Sequence, residues 1–342
     1  MFPGKYTLCL KTVDMEGMKR FYRTLGMSIR MFAHNSVMAW NGDVHFALMT
    51  FLREHSINFR GADPFEIHRN ALETGIAFDG KPERYRKEKY SADADGKNWL
   101  THDPDGNNIF FDTNEKEIGE SGRSHFLIRV LEATRRQLVN IEASEACREA
   151  LESEVVNRFI TPELLHTVDL ELTPLTEPGG FVGHFTYCLK TTDNEASRDW
   201  YQALGLEVGT PSEGEHIHMG TSDCSLSLMS FLPGNCLNFR GADVFRVYDQ
   251  MRAAGLDLEG EPARYTEEEF GVPGAHWQTN DPNGNVVYFD TTDPELIEPG
   301  DPKILRRVLE RACSQLEDVD ADPACIDAIR SEVIDRFAVD EP

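Results

Sequence analysis

The stretch Asn58-Phe59-Arg60-Gly61-Ala62-Asp63 recurs without a change at positions 238–243. Outward from it, the agreement continues in both directions. Tyr6-Thr7-Leu8-Cys9-Leu10-Lys11-Thr12 returns as Phe185-Thr186-Tyr187-Cys188-Leu189-Lys190-Thr191. Asp103-Pro104-Asp105-Gly106-Asn107 returns as Asp281-Pro282-Asn283-Gly284-Asn285, and Ser153 to Phe159 returns as Ser331 to Phe337. Position 7 maps to 186, 58 to 238 and 158 to 336, shifts of 179, 180 and 178. A near-constant shift at separate places along the chain marks an internal duplication. Only residues 163–182 lack a counterpart; with Pro174, Pro178, Gly179 and Gly180 they read as a linker.

The bulk properties limit what such a pair can do. The chain has 342 residues, enough for two or three domains with real cores. Its formal charge of −25 repels phosphate backbones and anionic membrane surfaces, which argues against a nucleic-acid or membrane partner. Seven scattered cysteines, without a Cys-x-x-Cys pair, fit reduced thiols in a cytoplasm better than a disulfide scaffold or a zinc finger. The opening Met1-Phe2-Pro3-Gly4-Lys5 does not read as a signal peptide, and no apolar run is long enough to cross a bilayer.

One copy reads as β-α-β-β-β, twice. Residues 6–12 suit a strand. Asp14 then caps a helix whose Met18, Phe21, Tyr22 and Leu25 follow helical spacing, and Gly26 ends it. Strands are predicted near 27–33, 36–41 and 44–51. The pattern restarts with a strand at 56–60 and a helix opened by Asp63 and Pro64, with Glu66 placed for a capping box and Gly75 at its end. Further strands fall near 83–86, 97–102 and 108–112, the last two joined by the Asp103-Pro104-Asp105-Gly106 turn. Amphipathic helices follow near 124–141 and 144–159. The first carries Leu127, Val130, Leu131, Leu138 and Ile141, matched in the second copy by Leu305, Val308, Leu309, Leu316 and Val319. Such a stripe predicts a helical hairpin packed on a neighbouring domain or on its own sheet.

The double βαβββ unit carries Asp14, Tyr22, Leu25 and Gly26, again as Asp193, Tyr201, Leu204 and Gly205, and the Asp-Pro-Asp/Asn-Gly-Asn turns. In these features the chain resembles the vicinal oxygen chelate superfamily of glyoxalases, bleomycin-binding and fosfomycin-resistance proteins and extradiol dioxygenases. The resemblance covers residues 4–115 and 183–293. It implies an α+β fold with two glyoxalase-like domains, each an eight-stranded cup built from two βαβββ modules and followed by a helical hairpin. The expected division is domain 1 at 1–118, hairpin 1 at 119–162, a linker at 163–182, domain 2 at 183–296 and hairpin 2 at 297–342. The resemblance does not account for the hairpins. The two copies are expected to be related by a pseudo-two-fold.

The resemblance also implies where a divalent ion would be held. Its expected ligand positions fall on Thr7, Ser56 and Phe110, with a fourth among Ala47 to Met49; in the second copy they fall on Thr186, Cys236 and Tyr288, with a fourth among Ser227 to Met229. Not one is a His or a carboxylate, whereas a catalytic zinc, iron or manganese needs about three such donors. The expectation is therefore no metal and no other cofactor. The alternative is a displaced divalent site from His184, Asn238 and Asp290, whose first-copy counterparts are Lys5, Asn58 and Asp112.

Strand parity assigns the remaining cup interior. Thr7, Cys9 and Lys11 share a face, as do Asn58 with Arg60 and Phe110 with Asp112; the second copy repeats them as Thr186, Cys188 and Lys190, Asn238 with Arg240, and Tyr288 with Asp290. The ligand-binding set expected from this is Lys11, Asn58, Arg60, Asp112, Lys190, Asn238, Arg240, Tyr288 and Asp290. A small anionic or aromatic molecule would suit it. The structural alternative is that Lys11 and Arg60 pair with Asp112 to hold the strands. Arg84-Tyr85, Arg264-Tyr265, Trp99 and Trp277 are further candidates, the tryptophans more as core. Cys9 and Cys188 have no His nearby in sequence and read as inert, and Cys147 and Cys325 as packing. The His216-x-His218 pair reads as solvated, and acidic 317–322 resembles a calcium loop only in charge.

Three classes stay open at this stage. The first is a metal-free small-molecule binder of the sequestration or resistance kind. The second is an enzyme: a divergent metal-dependent lyase or dioxygenase, or a metal-free protein using acid–base chemistry. The third is an interaction protein whose hairpins meet a partner or form a homodimer. Missing ligands favour the first.

Overall fold

The computed structural model describes residues 3–115 apart from 34, 42–43 and 91–93, residues 144–150, and residues 183–296 apart from 210–213 and 222–223. Of the C-terminal stretch it describes 309, 312–313, 316–317 and 322–331. The expected linker at 163–182, the expected helix at 124–141 and residues 151–159 lie outside these residues.

The first copy runs β1 (Lys5–Lys11), α1 (Met15–Thr24), β2 (Ser28–Ala33), β3 (Ser36–Asn41), β4 (Val44–Met49), β5 (Ser56–Arg60), α2 (Pro64–Glu73), β6 (Glu83–Tyr85), α3 (Lys87–Tyr90), β7 (Gly96–His102) and β8 (Asn108–Asn114). The second runs β9 (His184–Lys190), α4 (Asn194–Ala203), β10 (Glu207–Val208), β11 (His216–Gly220), β12 (Ser225–Met229), β13 (Cys236–Arg240), α5 (Val244–Ala253), β14 (Ala263–Tyr265), α6 (Glu267–Phe270), β15 (Gly274–Asn280) and β16 (Val286–Thr292). Only the short α3 and α6 are additions to the expected order.

Each copy closes into one eight-stranded sheet, ordered β2-β3-β4-β1-β5-β8-β7-β6 and β10-β11-β12-β9-β13-β16-β15-β14. The two modules of a copy meet where β1 runs antiparallel to β5, or β9 to β13. Capping fixes where the main helices begin. The Asp14 side chain accepts from Gly17 N at 2.9 Å, Asp63 from Phe65 N at 3.0 Å, Asp193 from Ala196 N at 3.0 Å and Asp243 from Phe245 N at 3.0 Å. Gly106 takes φ 86° to close the predicted turn, a conformation that a side chain would strain.

Parity does the sorting. Tyr6, Leu8 and Leu10 enter the core, as do Ile57, Phe59, Ile109 and Phe111, on the face that the helices cover. Their alternates form the opposite, concave face. One buried cluster takes in residues of both copies. Its rings meet across the junction, Phe46 with Phe185 at 5.6 Å and Phe78 with Trp200 at 5.2 Å between centroids. Trp99 and Trp277 belong to this core, stacked on Phe111 and Phe289 at 5.1 Å each, so they do not line the cups.

The junction is built from the recurring motifs themselves. Tyr22 donates to Asp281 Oδ2 at 2.9 Å, and Tyr201 to Asp103 Oδ2 at 2.8 Å. Asn283 Oδ1 accepts from Val13 N and Asp14 N, each at 3.0 Å. Asp105 accepts from Thr192 N and Oγ1, each at 2.7 Å, and from Ser197 Oγ at 3.0 Å. This reciprocity is that of a pseudo-two-fold.

The appendages, where described, meet one another. Cys147 Sγ lies 3.8 Å from Ala328 O and Cys325 Sγ 3.4 Å from Ala150 O, both cysteines buried. The acidic 317–322 run ends in a cap: Asp322 accepts from Ala324 N at 2.9 Å to open α7 (Pro323–Ile329). Among the described residues no helix is long and apolar enough to cross a membrane.

Candidate functional site

The concave faces gather most of the polar set, but not as one cluster. In the first cup Asn58 Nδ2 donates to Asp112 Oδ1 at 2.9 Å and to Phe110 O at 3.2 Å, and Arg60 forms an ion pair with Asp112. The second cup repeats this: Asn238 Nδ2 donates to Asp290 Oδ1 at 2.8 Å, and Arg240 pairs with Asp290. Arg240 also reaches Glu295 Oε1 at 2.9 Å through Nε. Burial pushes the Asp290 carboxyl up, against the pull of Arg240 and Asn238.

Lys11 does not join Asp112. Register places Lys5, not Lys11, opposite Arg60, and Lys11 sits at the other end of β1 with its backbone N–H on His55 Nδ1 at 3.0 Å. Lys190 is displaced in the same way, its Nζ on Pro233 O at 3.2 Å. Six residues along a strand are about 20 Å, which parity alone cannot register. Arg84 lies outside the cup, 5.7 Å over the Phe65 ring, and Arg264 likewise over Phe245. The Tyr265 hydroxyl bonds Thr291 O at 3.1 Å, and Tyr85 bonds Thr113 O at 3.3 Å.

The second cup holds groups that the sequence reading put elsewhere. His216 and His218 lie half-buried on the concave face, not on the solvated surface. Ser227 Oγ lies within hydrogen-bond reach of both, 3.2 Å from His216 Nε2 and 3.2 Å from His218 Nδ1. Ser225 Oγ is 3.0 Å from Thr186 Oγ1, 3.4 Å from His218 Nε2 and 3.5 Å from His184 Nε2. On the far side His276 Nδ1 is 3.0 Å from the Tyr288 hydroxyl, whose pKa is pushed up to about 12, by burial first and then by Asp290. The available signal was the alternation His216-x-His218 against Ser225-x-Ser227 around core Ile217 and Leu226, which puts all four on the concave face.

A metal of the kind the resemblance implied does not fit the residues present. Register places Thr186 and Tyr288 on either side of Asn238, with Cys236 opposite Cys188. Hydroxyls and a thiol on these positions do not supply the imidazole and carboxylate donors of such a site. The displaced set does not assemble either. Arg240 stands between His184 and Asp290 in the register and pairs with Asp290. Among the described residues no group of three or more His, Cys, Asp or Glu is arranged to hold an ion.

Between the copies lies a separate small cleft of about 150 Å³, lined among others by Glu54, His55, Asn107, Tyr187 and Asn235. Asn235 Nδ2 closes it, donating to Asn107 Oδ1 at 2.7 Å. Its lining also takes in Ser56 at the edge of the first cup.

No family model matches the chain, and no curated protein does. Among solved structures, the Mn(II)-bound glyoxalase from Novosphingobium aromaticivorans is 12% identical over 87% of this chain and 83% of its own, at TM-score 0.45. A catechol 2,3-dioxygenase is 14% identical over 83% and 91%, at 0.46. A variant of homoprotocatechuate 2,3-dioxygenase from Brevibacterium fuscum is 14% identical over 85% and 71%, at 0.47. Likeness at this level carries no argument about site or reaction. The chain's own strand order defines the fold: a tandem pair of eight-stranded cups, each from two βαβββ modules.

Proposed function

We propose that the protein is a metal-free binder of a small, neutral, hydroxylated or aromatic molecule, held in the second cup. The observation that carries this is the asymmetry between the two concave faces. Equivalent register positions hold His216 against Ser36, His218 against Met38, Ser227 against Ala47, His276 against Asn98 and Tyr288 against Phe110. A fold needs none of these exchanges, whereas a ligand that must be hydrogen-bonded does. The cation there is already engaged: Arg240 lies between Asp290 and Glu295. The His216 imidazole is held below its ordinary value by burial and then by Arg240, so it is neutral near pH 7. That imidazole, with the hydroxyls and amides around it, suits a neutral ligand better than an anion. Asn238, Tyr288 and Asp290 stay in the proposed contact set, while Arg240 acts through its pairing and Lys190 through the cup end. The first cup, with Lys11, Asn58, Arg60 and Asp112, serves as the scaffold half.

A thermal-shift screen with neutral phenols and polyols tests this. Hits should be lost in His218→Ala and Tyr288→Phe but kept in Met38→Ala. Equal shifts in all three variants would remove the second cup as the site. A second reading, a metal-free acid–base enzyme, draws on the His276–Tyr288 contact, since an imidazole on a phenol can pass a proton. Chemical conversion of a screened hit, lost in His276→Gln, would favour that reading over binding alone.

A further inference from the structure

We propose that Cys188 and Cys236 are a redox-modifiable thiol pair that a small hydroperoxide closes into a disulfide across the floor of the second cup. The two residues face each other directly on antiparallel β9 and β13. Their neighbours fix the side on which they stand: Tyr187, Leu189 and Leu237 are in the core, so both thiols point to the concave face. Directly opposed cross-strand side chains have Cβ atoms about 4.5–5.5 Å apart. A disulfide asks for about 3.5–4.5 Å, so closure needs a shift on the order of 1 Å. Facing each other, the thiols shift in opposite senses, Cys188 up and Cys236 down. All seven cysteines are reduced here.

The pair has an order of reaction. Cys236 is the more accessible at 8% exposed, against 3% for Cys188. The Cys188 S–H bond favours thiolate on Cys236 and pulls its pKa below the ordinary value, against burial and Asp290. Cys236 sulfur attacks one peroxide oxygen, the O–O bond breaks, and hydroxide leaves to become water with the thiol proton. The Cys236 sulfenic acid is then attacked by Cys188 sulfur; the S–S bond forms and the sulfenic oxygen departs as a second water. Two thiols and one hydroperoxide thus give one disulfide and two waters when the oxidant is hydrogen peroxide. Burial at the cup floor admits so small an oxidant and excludes a bulky disulfide such as oxidised glutathione.

The first copy supplies an internal control. There Ser56 faces Cys9, so the same strand pair cannot cross-link. Burial, with a smaller contribution from Asp112, raises Cys9 to about 12, which keeps it unreactive.

Intact mass spectrometry of the full chain after brief hydrogen peroxide treatment reads the outcome. The expected result is loss of two hydrogens per chain, a Cys188–Cys236 cross-linked peptide, and recovery with dithiothreitol. Cys236→Ser places in the second copy the residue the first already tolerates; it should melt as the parent does and lose the cross-link. Cys9→Ser should keep it. Persistent free thiols at 188 and 236, oxygen added to Cys236 without a cross-link, or the same loss of hydrogens in Cys236→Ser would each overturn the proposal.

Discussion

The Tyr22 hydroxyl of the first copy lies 2.9 Å from Asp281 Oδ2 of the second. Asp281 also accepts from Asn283 N, Asn285 N and Asn285 Nδ2, so one carboxylate organises its own turn and holds the other copy's first helix. Tyr201 and Asp103 repeat this in the opposite sense. The residues that make the two copies recognisable as relatives are therefore the residues that join them. Their recurrence needs no catalytic explanation.

Tyr22→Phe should leave Asp281 short of one buried donor. A hydrogen bond to a charged group contributes about 1.5–3 kcal/mol, so the loss should be of that order. Urea unfolding is the check, and Tyr201→Phe should cost a similar amount. If neither variant shifts the midpoint, the two tyrosine hydroxyls do not help to hold the junction.

Gly274 lies under the Tyr265 ring, and a Cβ there would come 2.3 Å from both Thr291 O and Tyr265 Oη. Gly274→Ala must move the Tyr265 ring or part β15 from β16. A destabilisation of about 1–3 kcal/mol is expected, as for overpacking. Melting of the variant alongside Gly255→Ala, where the nearest atom is a flexible Arg20 nitrogen at 3.5 Å, separates crowding from backbone effects.

Arg240→Met would leave Asp290 and Glu295 without their shared cation. A loss of about 1–3 kcal/mol in stability at neutral pH is expected for breaking such a charged pair. Arg60→Met, which releases Asp112 alone, should cost less. Weakened ligand binding with unchanged stability would instead assign Arg240 to the ligand.

Acid should loosen the fold through two imidazoles. His55 is pulled below the usual 6.5 by burial, against a hydrogen bond to Asn285, and His216 by burial and then Arg240. The unfolded chain protonates both near pH 6.5, so below that pH it holds the extra protons. Stability from these groups is present above 6.5 and falls as pH drops toward their folded values. Denaturation midpoints from about pH 7.5 to about pH 5 should decline, with part of the slope removed in His216→Gln. A slope unchanged by His216→Gln and by His55→Gln would show that neither imidazole carries it.

Much of this protein is decided by short-range chemistry, and that part is legible in the chain. Asp14 and Asp63 cap helices where their side chains can reach a free backbone N–H, and Gly106 turns the chain because it alone tolerates that φ. Alternation along 6–12 fixes which side chains enter the core, and recurrence at 238–243 fixes that it happens twice. Parity, however, says only which face a residue occupies. How far along the strand its neighbours lie depends on inter-strand register, a property of hydrogen bonds between segments distant in sequence. Register is what separated Lys11 from Asp112, set Arg240 between His184 and Asp290, and brought Cys188 opposite Cys236. Register likewise set His216 and His218 beside Ser227. The sequence by itself determined two duplicated cups and their polar stock; only tertiary pairing decided which of those groups can act together.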